Sequence, residues 1–300
     1  MHRTQDREYP YGVEPPGFRL PDATRLGPVR LQVADLERSL SYYAQVVGLV
    51  PVRDGGSSLA LGAIDGGEPL IELVEHPGAR PVPRRGRLGL FHFAILLPDR
   101  ASLGSFVRQL KSEDIGFGAS DHLVSEAVYL YDPDGLGIEV YADRPRASWR
   151  HQGRQLLMAT DPMDVEDVMR SSDGSEWKGL PRGTRMGHVH LHVGELDAAR
   201  RFYHDGLGMD LMVWSYPGAL FLSAGGYHHH LGLNSWAAGA PPAAEDEARL
   251  LDWQLVLPSS DDVDRALRSL QGLPDELASG REDGVVTDPW GTRLRLRPES

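Results

Sequence analysis

The side chains best able to hold a metal or move a proton are clustered. HVHLHV sets His188, His190 and His192 at alternate positions, YHHH sets His228, His229 and His230 in a row, and His92 stands in the run FHFAILLP. The chain has twelve histidines and no cysteine. Disulfides, zinc–thiolate sites, iron–sulfur clusters and a thiol nucleophile are excluded together, so any metal must be held by imidazole and carboxylate. Alternation on a strand projects His188, His190 and His192 from one face, too crowded for all three to bind one ion. The same count puts His228 and His230 on one face and His229 on the other. Tyr129 precedes Glu139 by ten residues, an even count that predicts one shared face if the intervening DPDG turn keeps register. His2, His76, His151 and His204 read as solvated surface.

These side chains need a scaffold, and the sequence builds one by repetition. LGPVRLQVADLERSLSYYAQVVGL from Leu26 aligns without a gap on MGHVHLHVGELDAARRFYHDGLGM from Met186, an offset of 160 residues. HFAILLPDRASLGSFVRQL from His92 lies over DWQLVLPSSDDVDRALRSL from Asp252 at the same offset, and DPDG from Asp132 recurs as DPWG from Asp288. Within each unit the apolar period changes from two to about 3.6. PVRLQV, FHFAIL, HVHLHV and DWQLVL read as strands; Leu36, Leu40, Tyr43 and Val47 then follow at helical spacing, with Asp35 as N-cap and Gly48 as stop. One strand, one helix and three strands, four times over, predicts an α+β fold of four βαβββ modules. The expected organisation is an arm over 1–25, modules one and two over 26–142, a polar linker over 143–185 with a short helix at MDVEDVM, and modules three and four over 186–300.

A net charge of -12, from 31 basic and 43 acidic side chains, argues against nucleic acid or an anionic membrane as partner, because both require a basic face. No run approaches the roughly 18 apolar residues of a membrane span. MHRTQDREYPYGVEPPGF lacks the apolar core of a signal peptide, so the expected location is the cytoplasm.

A βαβββ module used four times resembles the vicinal oxygen chelate superfamily, whose paired modules curl into half-barrels around a divalent metal. FHFAILLP, DHLVSEAVYLYDPDGLGIEVYADRPRASW, GHVHLHV and AGGYHHHLGLN resemble, more closely, the catechol 2,3-dioxygenase branch of the type I extradiol dioxygenases. The resemblance implies two half-barrel metal-chelate units and ligand slots in the first strand of each module and in a last strand. Inspected slot by slot, the first-strand positions hold Pro28, His92, His188 and Asp252, and the last-strand positions after the DPxG turns hold Glu139 and Arg295. Modules one and four have lost the site. Modules two and three keep two imidazoles and one carboxylate, so the expected ligands are His92, His188 and Glu139, which requires those two modules to face each other. This is the facial set that suits Fe(II), with Mn(II) as the substitute.

The resemblance further implies His230 as the acid and base beside bound oxygen, Tyr129 as a hydrogen-bond partner of substrate, and His122 as a second active-site histidine. The activity implied is extradiol cleavage of catechol or a substituted catechol with O2 to a 2-hydroxymuconate semialdehyde, in a homo-oligomeric enzyme. The rivals are a hydroquinone ring-cleaving dioxygenase, a glyoxalase-like isomerase with a fourth protein ligand, and a metal-free binding protein of the same fold.

Overall fold

The computed structural model describes residues 9–64, 66–83, 86–274, 277, 279–282 and 284–299; His2 lies outside them. Module one shows how the local sequence becomes structure. Strand Val29–Val33 leads into helix Leu36–Tyr42, whose first turn is closed by the Asp35 carboxylate accepting from the Arg38 N–H at 2.8 Å. The helix then widens to a π-turn over Tyr43–Val47 and stops at Gly48, where φ is +86°. Module three repeats the design with helix Leu196–Arg200 and a π-turn over Arg201–Gly206.

The modules are joined into two curled sheets, each drawing one module from each half of the chain. In one, Arg185–His192 of module three pairs antiparallel with Gly89–Leu96 of module two, and the remaining strands of those two modules extend the sheet to eight. In the other, Arg249–Leu257 of module four pairs with Val29–Val33 of module one. Modules two and three are therefore neighbours, as the shared ligand set requires. Within every module the first strand lies parallel to the last, which brings Ala94 level with Glu139.

Helix Arg100–Ser112 covers one face of the first sheet. Phe93 and Ile95 point into the core with Phe106 and Leu110 of that helix, so His92 and Ala94 point to the opposite, concave face. Two clasps tie the sheets together. Tyr43 of module one donates to the Asp132 carboxylate of module two at 3.1 Å, and Tyr203 of module three donates to Asp288 of module four at 2.9 Å. Each aspartate also accepts two backbone N–H groups of its own DPxG turn. All four side chains are buried, so the recurring turn motif is part of the joint between sheets.

The described part of the arm, from Tyr9, runs across module three, where Arg19 makes a bidentate pair with Asp210 and Tyr11 donates to the Gly226 carbonyl. The linker is more structured than its polarity predicts. Trp149, Leu156, Val168 and Leu180 are buried in it, and helix Val165–Arg170 lies against helix Arg100–Ser112. His76 and His151 are exposed as expected. His204 is not: it is buried, with Nδ1 donating to the Met209 carbonyl at 2.7 Å. Among the described residues no helix is long and apolar enough to cross a membrane.

Candidate metal centre

Three strands bring His92, Glu139 and His188 together on the concave face of the first sheet. The atoms facing one another form a triangle, with His92 Nε2 to Glu139 Oε2 at 3.0 Å, His188 Nε2 to Glu139 Oε2 at 3.2 Å, and the two Nε2 atoms 3.4 Å apart. Ligands at right angles on a cation with bonds of about 2.1 Å sit about 3.0 Å apart. The triangle therefore fits one face of an octahedron and leaves the opposite positions open to the adjoining cavity. This is the one group of three or more potential ligands that meets so closely among the described residues.

The electrostatics suit a cation. Burial opposes ionisation of Glu139, but the imidazoles of His188 and His92 beside it outweigh that and hold it well below the usual carboxylate range. Burial pushes His188 down to about 4, against the opposing pull of Glu139, so its Nε2 is available as a neutral ligand. His188 Nδ1 is buried without a hydrogen-bond partner among the described residues. Leaving such a group unpaired costs about 1–3 kcal/mol. The donor set, two neutral imidazoles and one carboxylate, is one that Fe(II) and related divalent ions accept. One glycine makes the approach possible: a Cβ at Gly187 would lie 2.0 Å from the Tyr141 hydroxyl, so no larger residue fits beside His188.

The second sheet shows the lost slots filled with charge of the opposite kind. Asp252 is buried, with Arg30 Nη1 at 2.8 Å from one oxygen and Arg295 Nε at 3.6 Å from the other. Arg30 also reaches Glu72 at 3.2 Å. Two guanidinium groups compensate the carboxylate where the first sheet gathers metal ligands.

A cavity of about 340 Å³ opens beside the triangle, walled by Phe91, Phe221, Tyr216, Trp236, Met158 and Leu130. Tyr129 lies level with Glu139 across the strand pair, as the even spacing predicts, and lines the cavity. Burial and the Glu139 charge raise its phenol well above 10, so it is a neutral donor. His122 joins it. Its Nδ1 donates to the Ala159 carbonyl at 2.6 Å, which leaves Nε2 bare to accept from the Tyr129 hydroxyl at 2.5 Å.

The residue expected as acid and base stands apart from the cavity. His230 does not line the cavity; its Nδ1 accepts from the Ser223 hydroxyl at 3.0 Å and the Ala224 N–H at 3.2 Å. His229 lines the cavity instead, with its ring 4.0 Å from that of His188. The alternation that sets His229 apart from His228 and His230 agrees with this placement, and it is the position carried over from the resemblance that points to His230. Burial and the nearby histidines push His229 well below its ordinary range, so its ring is neutral.

The neighbouring histidines have assigned duties. The Trp236 N–H donates to Asn234 Oδ1 at 3.1 Å, which identifies that atom as the amide oxygen. His192 Nδ1 therefore donates to the same oxygen at 2.6 Å, and the amide nitrogen donates to His190 Nε2 at 3.0 Å. His190 lines the cavity over Gly232, whose missing side chain makes room for the ring. Sequence reasoning missed His229, the aromatic wall and the linker residues Met158, Ala159 and Thr160, which also face the cavity. A cluster of cavity residues within a polar linker carries no periodic signal.

Comparison with known proteins agrees with this geometry. Residues 25–140 and 185–296 match the model of the Glyoxalase/Bleomycin resistance protein/Dioxygenase superfamily. The chain is 44% identical over 270 residues to the catechol-2,3-dioxygenase of Bacillus subtilis (strain 168), covering 89% of this chain and 94% of that one. Its fold is similar to a crystal structure from Bacillus subtilis subsp. subtilis str. 168, at a TM-score of 0.60 and 14% identity over 94% of this chain and 86% of that one. It is also similar to glyoxalase I from Zea mays, at a TM-score of 0.50 and 19% identity over 91% and 92% of the two chains. Two repeats of the module pair, one intact ligand triangle and a relative of this identity along nearly the whole length place the chain in the glyoxalase/bleomycin resistance protein/dioxygenase superfamily.

Proposed function

We infer that the chain is an extradiol dioxygenase acting on catechol or a substituted catechol. It would insert both atoms of O2 and open the ring beside the diol to a 2-hydroxymuconate semialdehyde. The observation that carries this reading is the triangle of His92, His188 and Glu139 opening on an aromatic cavity, in a chain 44% identical to a catechol-2,3-dioxygenase. A cavity of about 340 Å³ is at the small end of the range for ligand pockets, which suits a single ring with modest substituents.

His92, His188 and Glu139 would hold Fe(II), with Mn(II) as an alternative; the ion would supply the positive charge that favours diol ionisation and the redox route to O2. The protein's part is positioning and proton transfer. Phe91, Phe221 and Trp236 enclose the ring and exclude water. His229 Nε2 takes a proton from one diol hydroxyl and later returns it to the oxygen that leaves as the O–O bond breaks. The Tyr129 hydroxyl, whose hydrogen goes to His122, offers its oxygen to the cavity as a hydrogen-bond acceptor for substrate.

The test is direct. Protein reconstituted anaerobically with Fe(II) and mixed with catechol and air should consume O2 and turn yellow, whereas the Glu139→Ala variant should lose both iron and turnover. No oxygen uptake with any of several catechols overturns the reading. Turnover in the absence of oxygen with Ni(II) or Zn(II) would favour an isomerase.

A further inference from the structure

Behind the cavity wall, His229 is the end of a chain of hydrogen bonds that the acid–base reading does not use. His229 Nδ1 lies 2.7 Å from His228 Nδ1, and His228 Nε2 lies 2.8 Å from Asp143 Oδ1. The same oxygen accepts from the Tyr227 hydroxyl at 3.1 Å, and Tyr227 meets Tyr141 at 2.7 Å. His228 is fully buried, while the Asp143 side chain is one-quarter exposed.

The proton positions follow from one end. A carboxylate can only accept, so His228 Nε2 carries a hydrogen and donates it. Two imidazoles meeting through Nδ1 share one hydrogen, and in the neutral pair the His228 hydrogen is the one on Nε2, so its Nδ1 accepts. The hydrogen between the two rings then belongs to His229 Nδ1, and His229 Nε2 is the bare nitrogen. We propose that Asp143 and His228 are positioning residues for His229, fixing through two successive hydrogen bonds the tautomer whose bare Nε2 is turned to the cavity. The logic is that of a carboxylate orienting a catalytic imidazole, extended by one ring. The proposal rests on His229 being the base of the proposed reaction, but the tautomer itself can be read without turnover.

Histidine nitrogen NMR of the metal-free protein should show His229 protonated at Nδ1 and His228 at Nε2. An Nε2-protonated His229 in the wild type overturns the proposal even if the protein proves to be a dioxygenase. In the iron-loaded enzyme, Asp143→Asn removes the obligate acceptor. It should lower kcat by about 10- to 100-fold while leaving iron content and KM for catechol unchanged. In a His228→Gln background, where an amide oxygen takes the hydrogen of His229, Asp143→Asn should cost nothing further. Additive losses, or a fall in iron content and a rise in KM alongside the fall in kcat, would assign these residues a structural role and refute the proposal. Failure of oxygen uptake in the wild type would count against the function and leave the tautomer measurement standing.

Discussion

Replacing Asp132 by Asn should flatten the pH dependence of stability. The Asp132 carboxyl is buried, and burial, aided by the neighbouring Asp134 charge, lifts it to about 7 despite the hydrogen bonds it accepts from Leu136, Tyr43 and Asp134. Its value in an open chain is 3.8. The folded protein therefore prefers the protonated form. The associated stability is fully present below pH 3.8 and is lost as pH rises through 7. At about 1.4 kcal/mol per tenfold change in proton affinity, the gap is on the order of 4 kcal/mol. Asparagine keeps an oxygen for the two backbone N–H groups and presents an amide to Tyr43, but it cannot ionise. Urea unfolding of wild type and Asp132→Asn from pH 4 to 8 should show the wild type losing ground to the variant by that amount across this window. The matching clasp offers an internal comparison. Burial lifts Asp288 only to about 6, so Asp288→Asn should give a smaller difference, on the order of 3 kcal/mol, complete about one pH unit earlier. Parallel stability profiles for wild type and both variants would refute the reasoning.

Two further substitutions separate the site's parts. His229→Ala should retain iron and lose about 10²- to 10⁴-fold in kcat, while His230→Ala should retain most turnover; kinetics with iron analysis checks both, and the reverse order would return the acid–base role to His230. Gly187→Ala forces a Cβ against the Tyr141 hydroxyl and should cost about 1–3 kcal/mol of stability with weaker iron retention, measured by thermal unfolding and metal analysis.

The parts of the molecule that were legible in the sequence are those governed by repeats and regular periods. The offset of 160 residues identified corresponding slots, and regular strands carried His92 and His188 to where the count placed them. Tyr129 and Glu139 kept their common face because the DPDG turn preserves register between adjacent strands. Sequence reasoning also carried a position over from the resemblance to His230, whereas His229 is the one of the three in the cavity lining, as the alternation allows. It also passed over Met158 and Ala159, whose position depends on the linker folding back over the cavity, and it placed His204 at the surface although the chain buries it against Met209. The last two failures lie where backbone direction is set by tertiary contacts.

The nesting of the modules bears on the order in which the protein can be made. Every strand of the ligand-bearing sheet lies between Gly89 and Asn234, whereas the other sheet must pair Val29–Val33 with Arg249–Leu257. A chain emerging from the ribosome thus carries all strands of the metal half before the last module exists, while module one waits for a partner more than two hundred residues downstream. Long-range pairing of that kind is slow, so the edge of Val29–Val33 is the surface exposed longest to aggregation during synthesis. The arm and the Tyr43 clasp bind to the half completed first.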